Sequence, residues 1–248
     1  MAYNNTYDLQ VISEAAYNEA LLNFTKPGGC RDLVEQCQAL GRIHDPEEVA
    51  INATVNELCF EATAYCSQYV VGAYDANGRN AFDMAHFRPD PDPPAYVAGW
   101  ANQAWVQEEL GAAVNFTYGS YLINNVFVFQ TGDIARRAGM GDLEYLLDSG
   151  VKVALIYGDR DYRCPCKSAA PMYWGAVADY DAGLGVEQLS LQANWTGAAA
   201  YREAGYEEIV VNSSYVGGVV KQHGGLSFSR VFQAGHDGQS SLRTLFTS

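Results

Sequence analysis

The sequence has little positive charge and no long apolar run. Only 15 Lys and Arg residues stand against 29 Asp and Glu residues, which gives a formal net charge of −14 over 248 residues. Nucleic acids and anionic membrane surfaces would repel such a protein. The apolar run over residues 151–157 is only seven residues long and includes Lys152, whereas a membrane span needs roughly 20. We therefore expect no nucleic-acid partner and no membrane span.

The first residues lack both features of a signal peptide, a basic start and an apolar stretch. Taken alone, this lack favours a cytosolic protein. Asn-x-Ser/Thr sequons favour the opposite, because six occur where chance would give about one per 100–200 residues. N-glycosylation would explain the excess, so we expect a secreted or vacuolar protein whose beginning is missing. The sequons begin at Asn4, Asn23, Asn52, Asn115, Asn194 and Asn212.

Hydrophobic periodicity divides the chain into a helical first part and a last part that contains strands. The patterns predict helices over residues 7–23, 30–40, 46–70, 96–110 and 133–148. Asp45 is predicted to cap the helix that begins at Pro46. Strands are predicted over residues 151–157, 208–212, 215–222 and 226–232. A proline-rich segment, residues 75–94, is predicted as a surface loop, and the whole pattern as an α/β fold.

Four of the six cysteines are spaced as two pairs. Cys30 and Cys37 are seven residues apart, as are Cys59 and Cys66, so each pair lies on one face of a helix. Antiparallel helices would give the nested bridges Cys30–Cys66 and Cys37–Cys59, whereas parallel helices would join Cys30 to Cys59 and Cys37 to Cys66. We expect the nested pairing. A zinc site is the alternative, although its ligands are usually only about two to four residues apart.

An acidic residue and a histidine each follow a predicted strand. Asp161 lies in the segment Gly-Asp-Arg-Asp-Tyr-Arg-Cys, residues 158–164, and His236 ends the segment Phe-Gln-Ala-Gly-His, residues 232–236. In the α/β-hydrolases the catalytic triad runs in the order Ser, Asp, His. The histidine removes the proton of the serine, and the acid holds the imidazole in place. The competing interpretation is structural, because Asp is a common turn residue.

Both segments resemble those around the acid and base of the serine carboxypeptidase family. The string Gly-Trp-Ala-Asn-Gln-Ala-Trp-Val-Gln-Glu-Glu-Leu-Gly at residues 99–111 is similar to its fungal branch. The resemblance implies that Asp161 is the triad acid, that His236 is the triad base and that Asp159 fixes the turn. It also implies that Cys164 and Asp237 lie at the substrate site.

The same resemblance implies an architecture and an activity. Residues 1–110 would form a helical insertion with nested disulfides, and residues 111–248 the C-terminal part of an α/β-hydrolase core. The substrates would be the C-termini of peptides and proteins, and the reaction would need no metal and no organic cofactor. The Asp-x-Asp-aromatic-x-Cys string and the paired cysteines argue against another α/β-hydrolase, such as an esterase.

The nucleophile of the family is absent from the sequence. The family carries it in Gly-Glu-Ser-Tyr followed by further small residues, and no Gly-x-Ser-x-Gly string occurs here. We therefore expect a fragment that resembles the C-terminal half of the enzyme and is inactive alone. The alternative is a non-enzymatic remnant or interaction module derived from such an enzyme.

Overall fold

A computed structural model describes residues 11–89, 96–136, 139–162 and 185–236 of the chain. The helices are α1 (Glu14–Thr25), α2 (Cys30–His44), α3 (Ala53–Cys66), α4 (Gly72–Asp75), α5 (Tyr96–Ala101), α6 (Ala104–Leu110), α7 (Tyr121–Asn125), α8 (Asp133–Arg136), α9 (Gly139–Asp148), α10 (Val186–Gln192) and α11 (Ala198–Glu203). Two π-helical turns, Ser67–Val71 and Val126–Gln130, extend α3 and α7. The strands are β1 (Val153–Gly158), β2 (Tyr206–Asn212), β3 (Tyr215–His223) and β4 (Leu226–Val231).

Two nested disulfides join α2 and α3. Cys30 is bonded to Cys66 and Cys37 to Cys59, with Cα–Cα distances of 5.0 and 4.9 Å. The expected pairing is confirmed, and the zinc alternative is wrong because each sulfur is bonded to another sulfur. All four cysteines are buried, in one apolar cluster with α1 and α8. The bridges therefore reinforce a small helical core of their own.

The connection between α2 and α3 corrects the predicted start of the third helix. A helix from Pro46 is wrong, because α3 begins at Ala53, where the Asn52 side chain accepts a first-turn backbone N–H at 3.1 Å. Glu48 and Ala50 have φ angles of 53° and 58°. Those angles are incompatible with a right-handed helix, so the chain enters α3 through a strained loop.

Asp45 does not cap α3 but forms a buried ion pair. Its carboxylate accepts the N–H groups of Val49 and Ala50 at 3.1 and 3.0 Å. Arg136 of α8 lies 2.5 Å away through Nη1, and it also bonds the Asn56 side chain. Both ionised side chains are almost fully buried. The pair therefore joins the connection between the disulfide-linked helices to a segment about 90 residues further along the chain.

Two other predicted helices are each divided. Residues 96–110 form α5 and α6, because the Asn102 side chain at the break bonds both the N–H and the C=O of Phe116. Residues 133–148 form α8 and α9, on either side of residues 137–138, which lie outside the described ranges. Helix α8 packs on the disulfide-linked helices, so the helical cluster draws on residues on both sides of the predicted division at residue 110.

The strands form one mixed sheet in the order β1-β4-β3-β2. β1 and β4 are parallel, and the other neighbouring pairs are antiparallel. One face of β1 and β4 packs under α9, α10 and α11, around the buried Phe228 and Tyr201. The α/β fold with a disulfide-linked helical region is therefore confirmed. Each predicted strand is present, with bounds that differ by two residues at most.

Much apolar surface is exposed on the described part of the chain. Within it β1 pairs with β4 alone, and Ile156 on its second face is 45% exposed. Large apolar side chains on α7 and the following π-helical turn are also exposed: Tyr121, Leu122, Ile123, Val126, Phe127 and Phe129. Surfaces of this kind are usually covered by other protein.

No helix in the described ranges has the length and hydrophobicity that crossing a bilayer requires.

Candidate functional site

The parallel pairing of β1 with β4 places the two loops of interest side by side. Gly158 at the end of β1 lies opposite Val231 at the end of β4. Backbone hydrogen bonds continue the pairing past the strands, since the Arg160 N–H donates to the Ala234 carbonyl at 2.9 Å. A Cβ atom at Gly158 would lie 2.1 Å from the Gly235 carbonyl oxygen. Only glycine therefore allows the loops to approach this closely.

Asp161 and His236 are in direct contact. The His236 Nδ1 atom lies 2.8 Å from the Asp161 Oδ2 atom. Asp161 is 1% exposed, whereas the His236 side chain is 45% exposed. An imidazole that donates through Nδ1 to a buried carboxylate presents its Nε2 atom as a base. The arrangement can therefore accept and deliver a proton at Nε2.

A third segment, residues 79–88, packs against both loops. The Phe82 carbonyl accepts the His236 backbone N–H at 2.7 Å, and the Met84 N–H donates to the Arg160 carbonyl at 2.9 Å. The Phe82 and His236 rings lie 5.1 Å apart between centroids. The sequence predicts only a surface loop here. Nothing in its composition shows that it contacts the site, because its hydrogen bonds to the two loops use backbone atoms.

A stacked pair of tyrosines anchors this third segment next to the loop that carries Asp161. Tyr162 stacks on Tyr74 with 3.5 Å between ring centroids. The Tyr74 hydroxyl donates to the Asn80 carbonyl at 2.7 Å, and burial raises the pKa of Tyr74 above its ordinary value. The hydroxyl therefore stays protonated and holds the residue at which the third segment turns toward His236.

Asp159 reaches across to the loop that carries His236. Its Oδ1 atom accepts the Gln233 backbone N–H at 2.8 Å, and its Oδ2 atom lies 3.3 Å from Arg230 Nη2. The sequence gives no indication of this role for Arg230, because a charged residue inside a predicted strand carries no signal of a specific partner.

Two predicted substrate-site residues, Cys164 and Asp237, lie outside the described residues. Their roles stay predictions. Among the residues that the structure does describe, no group of three or more His, Cys, Asp or Glu side chains is arranged to hold a metal ion.

Comparisons with known proteins identify the family of the chain. The family model for serine carboxypeptidase matches residues 1–242. Carboxypeptidase S1 homolog B of Arthroderma otae is 40% identical over 238 residues, which are 96% of this chain and 34% of that protein. Carboxypeptidase S1 homolog A of Arthroderma benhamiae is 41% identical, over 95% of this chain and 34% of its own length.

More distant relatives include the carboxypeptidase Y homolog of Arthroderma benhamiae, which is 38% identical over 94% of this chain and 35% of its own length. A solved structure, the prohormone-processing carboxypeptidase Kex1ΔP of Saccharomyces cerevisiae, aligns with a TM-score of 0.41 and 15% identity, over 95% of this chain and 52% of that one. The chain spans about a third of the length of the curated relatives. It belongs to the serine carboxypeptidase family.

Proposed function

We propose that the chain is the C-terminal part of a serine-type carboxypeptidase and supplies the acid and the base of its triad. The contact between His236 Nδ1 and Asp161 Oδ2, 2.8 Å long, carries the proposal. The two residues follow neighbouring parallel strands, in the order that α/β-hydrolases use. The substrates would be the C-termini of peptides and proteins.

The proposed chemistry assigns one task to each residue. A serine hydroxyl attacks the carbonyl carbon of the last peptide bond while its proton passes to His236 Nε2. The imidazolium then protonates the leaving amine, and water hydrolyses the acyl-enzyme by the same route. Asp161 orients the ring and stabilises the imidazolium. The serine would come from a polypeptide segment that this sequence does not contain.

The exposed apolar surfaces support the proposal that a further polypeptide segment packs against this chain. The second face of β1 and the apolar side chains between Tyr121 and Phe129 are open in the described structure. The chain also matches only about a third of each S1 relative. A further segment of α/β-hydrolase core would cover the edge of β1 that has no strand partner within the described ranges, and would add the nucleophile.

The 248-residue chain is expected to show no labelling by a fluorophosphonate probe and no hydrolysis of blocked dipeptides at acid pH. An N-terminal segment that carries the family's Gly-Glu-Ser-Tyr string, joined ahead of residue 1, is expected to restore both. We call this product the joined polypeptide. Labelling of the 248-residue chain alone would contradict the claim that it lacks the nucleophilic serine. Failure of the folded joined polypeptide to react would favour the non-enzymatic module instead.

We also propose that the protein passes through the secretory pathway. Two disulfides favour an oxidising compartment. The sequon residues Asn115, Asn194 and Asn212 are exposed. In contrast, Asn23 is half-buried within α1, where its Oδ1 atom accepts Lys26 Nζ at 2.8 Å.

Secretion from a fungal host behind a signal peptide is therefore expected to yield N-glycans at Asn115, Asn194 and Asn212 and none at Asn23. Enzymatic deglycosylation in ¹⁸O water, followed by peptide mass spectrometry, would mark each modified Asn as Asp. A Thr117→Ala variant, which destroys one sequon, is the control and should lose the mark at Asn115 alone. Full glycosylation of Asn23 would contradict the prediction that only exposed sequons are modified.

A further inference from the structure

We propose that Asp159 is a positioning residue, which holds the loop that carries His236 in place for its contact with Asp161. The proposal rests on the proposed function, because it concerns the same acid–base pair. It gives two aspartates of one short loop different tasks. Asp161 contacts the imidazole, and Asp159 contacts the polypeptide that presents it.

The contacts of Asp159 cross between the two loops. The residue is buried, at 3% exposure. Its Oδ1 atom accepts the N–H of Gln233, 74 residues further along the chain, at 2.8 Å. Its Oδ2 atom lies 3.3 Å from Nη2 of Arg230, 71 residues further along. Bonds to an ionised carboxylate are stronger than neutral ones. Asp159 therefore does more than shape its own turn.

The backbone at Gln233 explains why this anchor is needed. Gln233 has a φ angle of 58°, in the left-handed region that disfavours residues with a Cβ atom. This turn redirects the chain after β4 so that His236, three residues later, faces Asp161. The bond from the Gln233 N–H to Asp159 stabilises the unfavourable conformation.

Arg230 completes the anchor at the base of the loop. It lies in β4 and is buried, with 11% of its side chain exposed. A buried guanidinium that loses its carboxylate partner is left as an uncompensated charge, which is costly. Replacement of Asp159 would remove a bond at both ends of the turn, at Arg230 and at Gln233, while leaving Asp161 and His236 chemically unchanged.

The test is NMR of the full chain with ¹⁵N-labelled histidine. A proton shared between His236 Nδ1 and Asp161 gives a downfield resonance, which Asp161→Asn identifies by its loss or large shift. Asp159→Ala is expected to abolish this resonance. Asp159→Asn is expected to retain it, because the Asn carbonyl oxygen still accepts the Gln233 N–H, but with about tenfold faster exchange with solvent because the charged partner of Arg230 is lost.

A matched control separates positioning from general stability. Asp45 is also a buried aspartate that bonds two backbone N–H groups and an arginine, and Asp45→Asn is expected to leave the His236 resonance unchanged. A wild-type resonance in Asp159→Ala would overturn the positioning role. If Asp159→Ala does not fold, unchanged exchange in Asp159→Asn would overturn it.

The same spectra keep the two proposals apart. A resonance that depends on Asp161 but not on Asp159 would remove only the positioning role. A downfield resonance that survives Asp161→Asn would show that the pair itself is not formed, which would remove the proposed function as well.

Discussion

Replacing His236 by alanine in the joined polypeptide is expected to lower kcat by about 10⁶-fold, the loss seen when a serine hydrolase loses its general base. The serine hydroxyl would then have no group to take its proton. Replacing Asp161 by asparagine is expected to cost about 10⁴-fold, because an amide favours the wrong tautomer of the ring. Hydrolysis of a blocked dipeptide, with kcat and KM determined separately, measures both effects.

The control for this prediction is another exposed histidine. His223 ends β3, and it lies outside the acid–base pair. His223→Ala should retain kcat and KM within a few-fold. A His236→Ala enzyme that keeps more than about a tenth of the parental kcat would show that a different group acts as the base. A change confined to KM would point to substrate binding rather than proton transfer.

Replacing Arg136 by methionine is expected to lower the free energy of unfolding of the chain by about 3–5 kcal/mol. The substitution leaves the Asp45 carboxylate, with 1% of its side chain exposed, without its buried cation. It also removes the bonds that Arg136 makes to Asn56 and to the Thr131 carbonyl. Urea unfolding followed by circular dichroism, with the disulfides intact, gives the change in the midpoint.

Two variants test the explanation. Arg31 also pairs with carboxylates, Asp32 and Glu35, but its side chain is 38% exposed, so Arg31→Met should cost at most about 1 kcal/mol. Adding Asp45→Asn to Arg136→Met should recover part of the loss, because it removes the stranded charge. If the two arginine variants were equally stable, the Arg136–Asp45 pair would not hold the helical cluster together.

The elements that the sequence predicts well are those whose signal is local. Cys30 and Cys37 are seven residues apart, as are Cys59 and Cys66, so the two cysteines of each helix lie on one face. The short connection between the two helices favours an antiparallel arrangement, and that arrangement gives nested disulfides. The strands are recognisable as short runs of β-prone residues, the first of which ends at Gly158. Asp161 and His236 could be selected because each follows such a strand.

The misplaced helix start at Pro46 shows where local signals mislead. Asp followed by Pro is a good cap and first turn, yet the Asp45 carboxylate bonds the N–H groups of Val49 and Ala50 and pairs with Arg136 instead of capping a helix. That partner lies 91 residues away. No short stretch of sequence around Pro46 contains Arg136, so local helix propensity alone places the start of α3 at the wrong residue.

By itself, the sequence determined the disulfides, the strands and the residues that could carry acid–base chemistry, because these depend on spacing, side-chain shape and side-chain type. The tertiary structure decided how the site is supported: the backbone contact of Phe82 with His236, the reach of Asp159 to Gln233 and the burial of Arg230. These contacts join segments about 70 or more residues apart. Their energies depend on burial and on distance in space, which neighbouring positions in the chain do not encode.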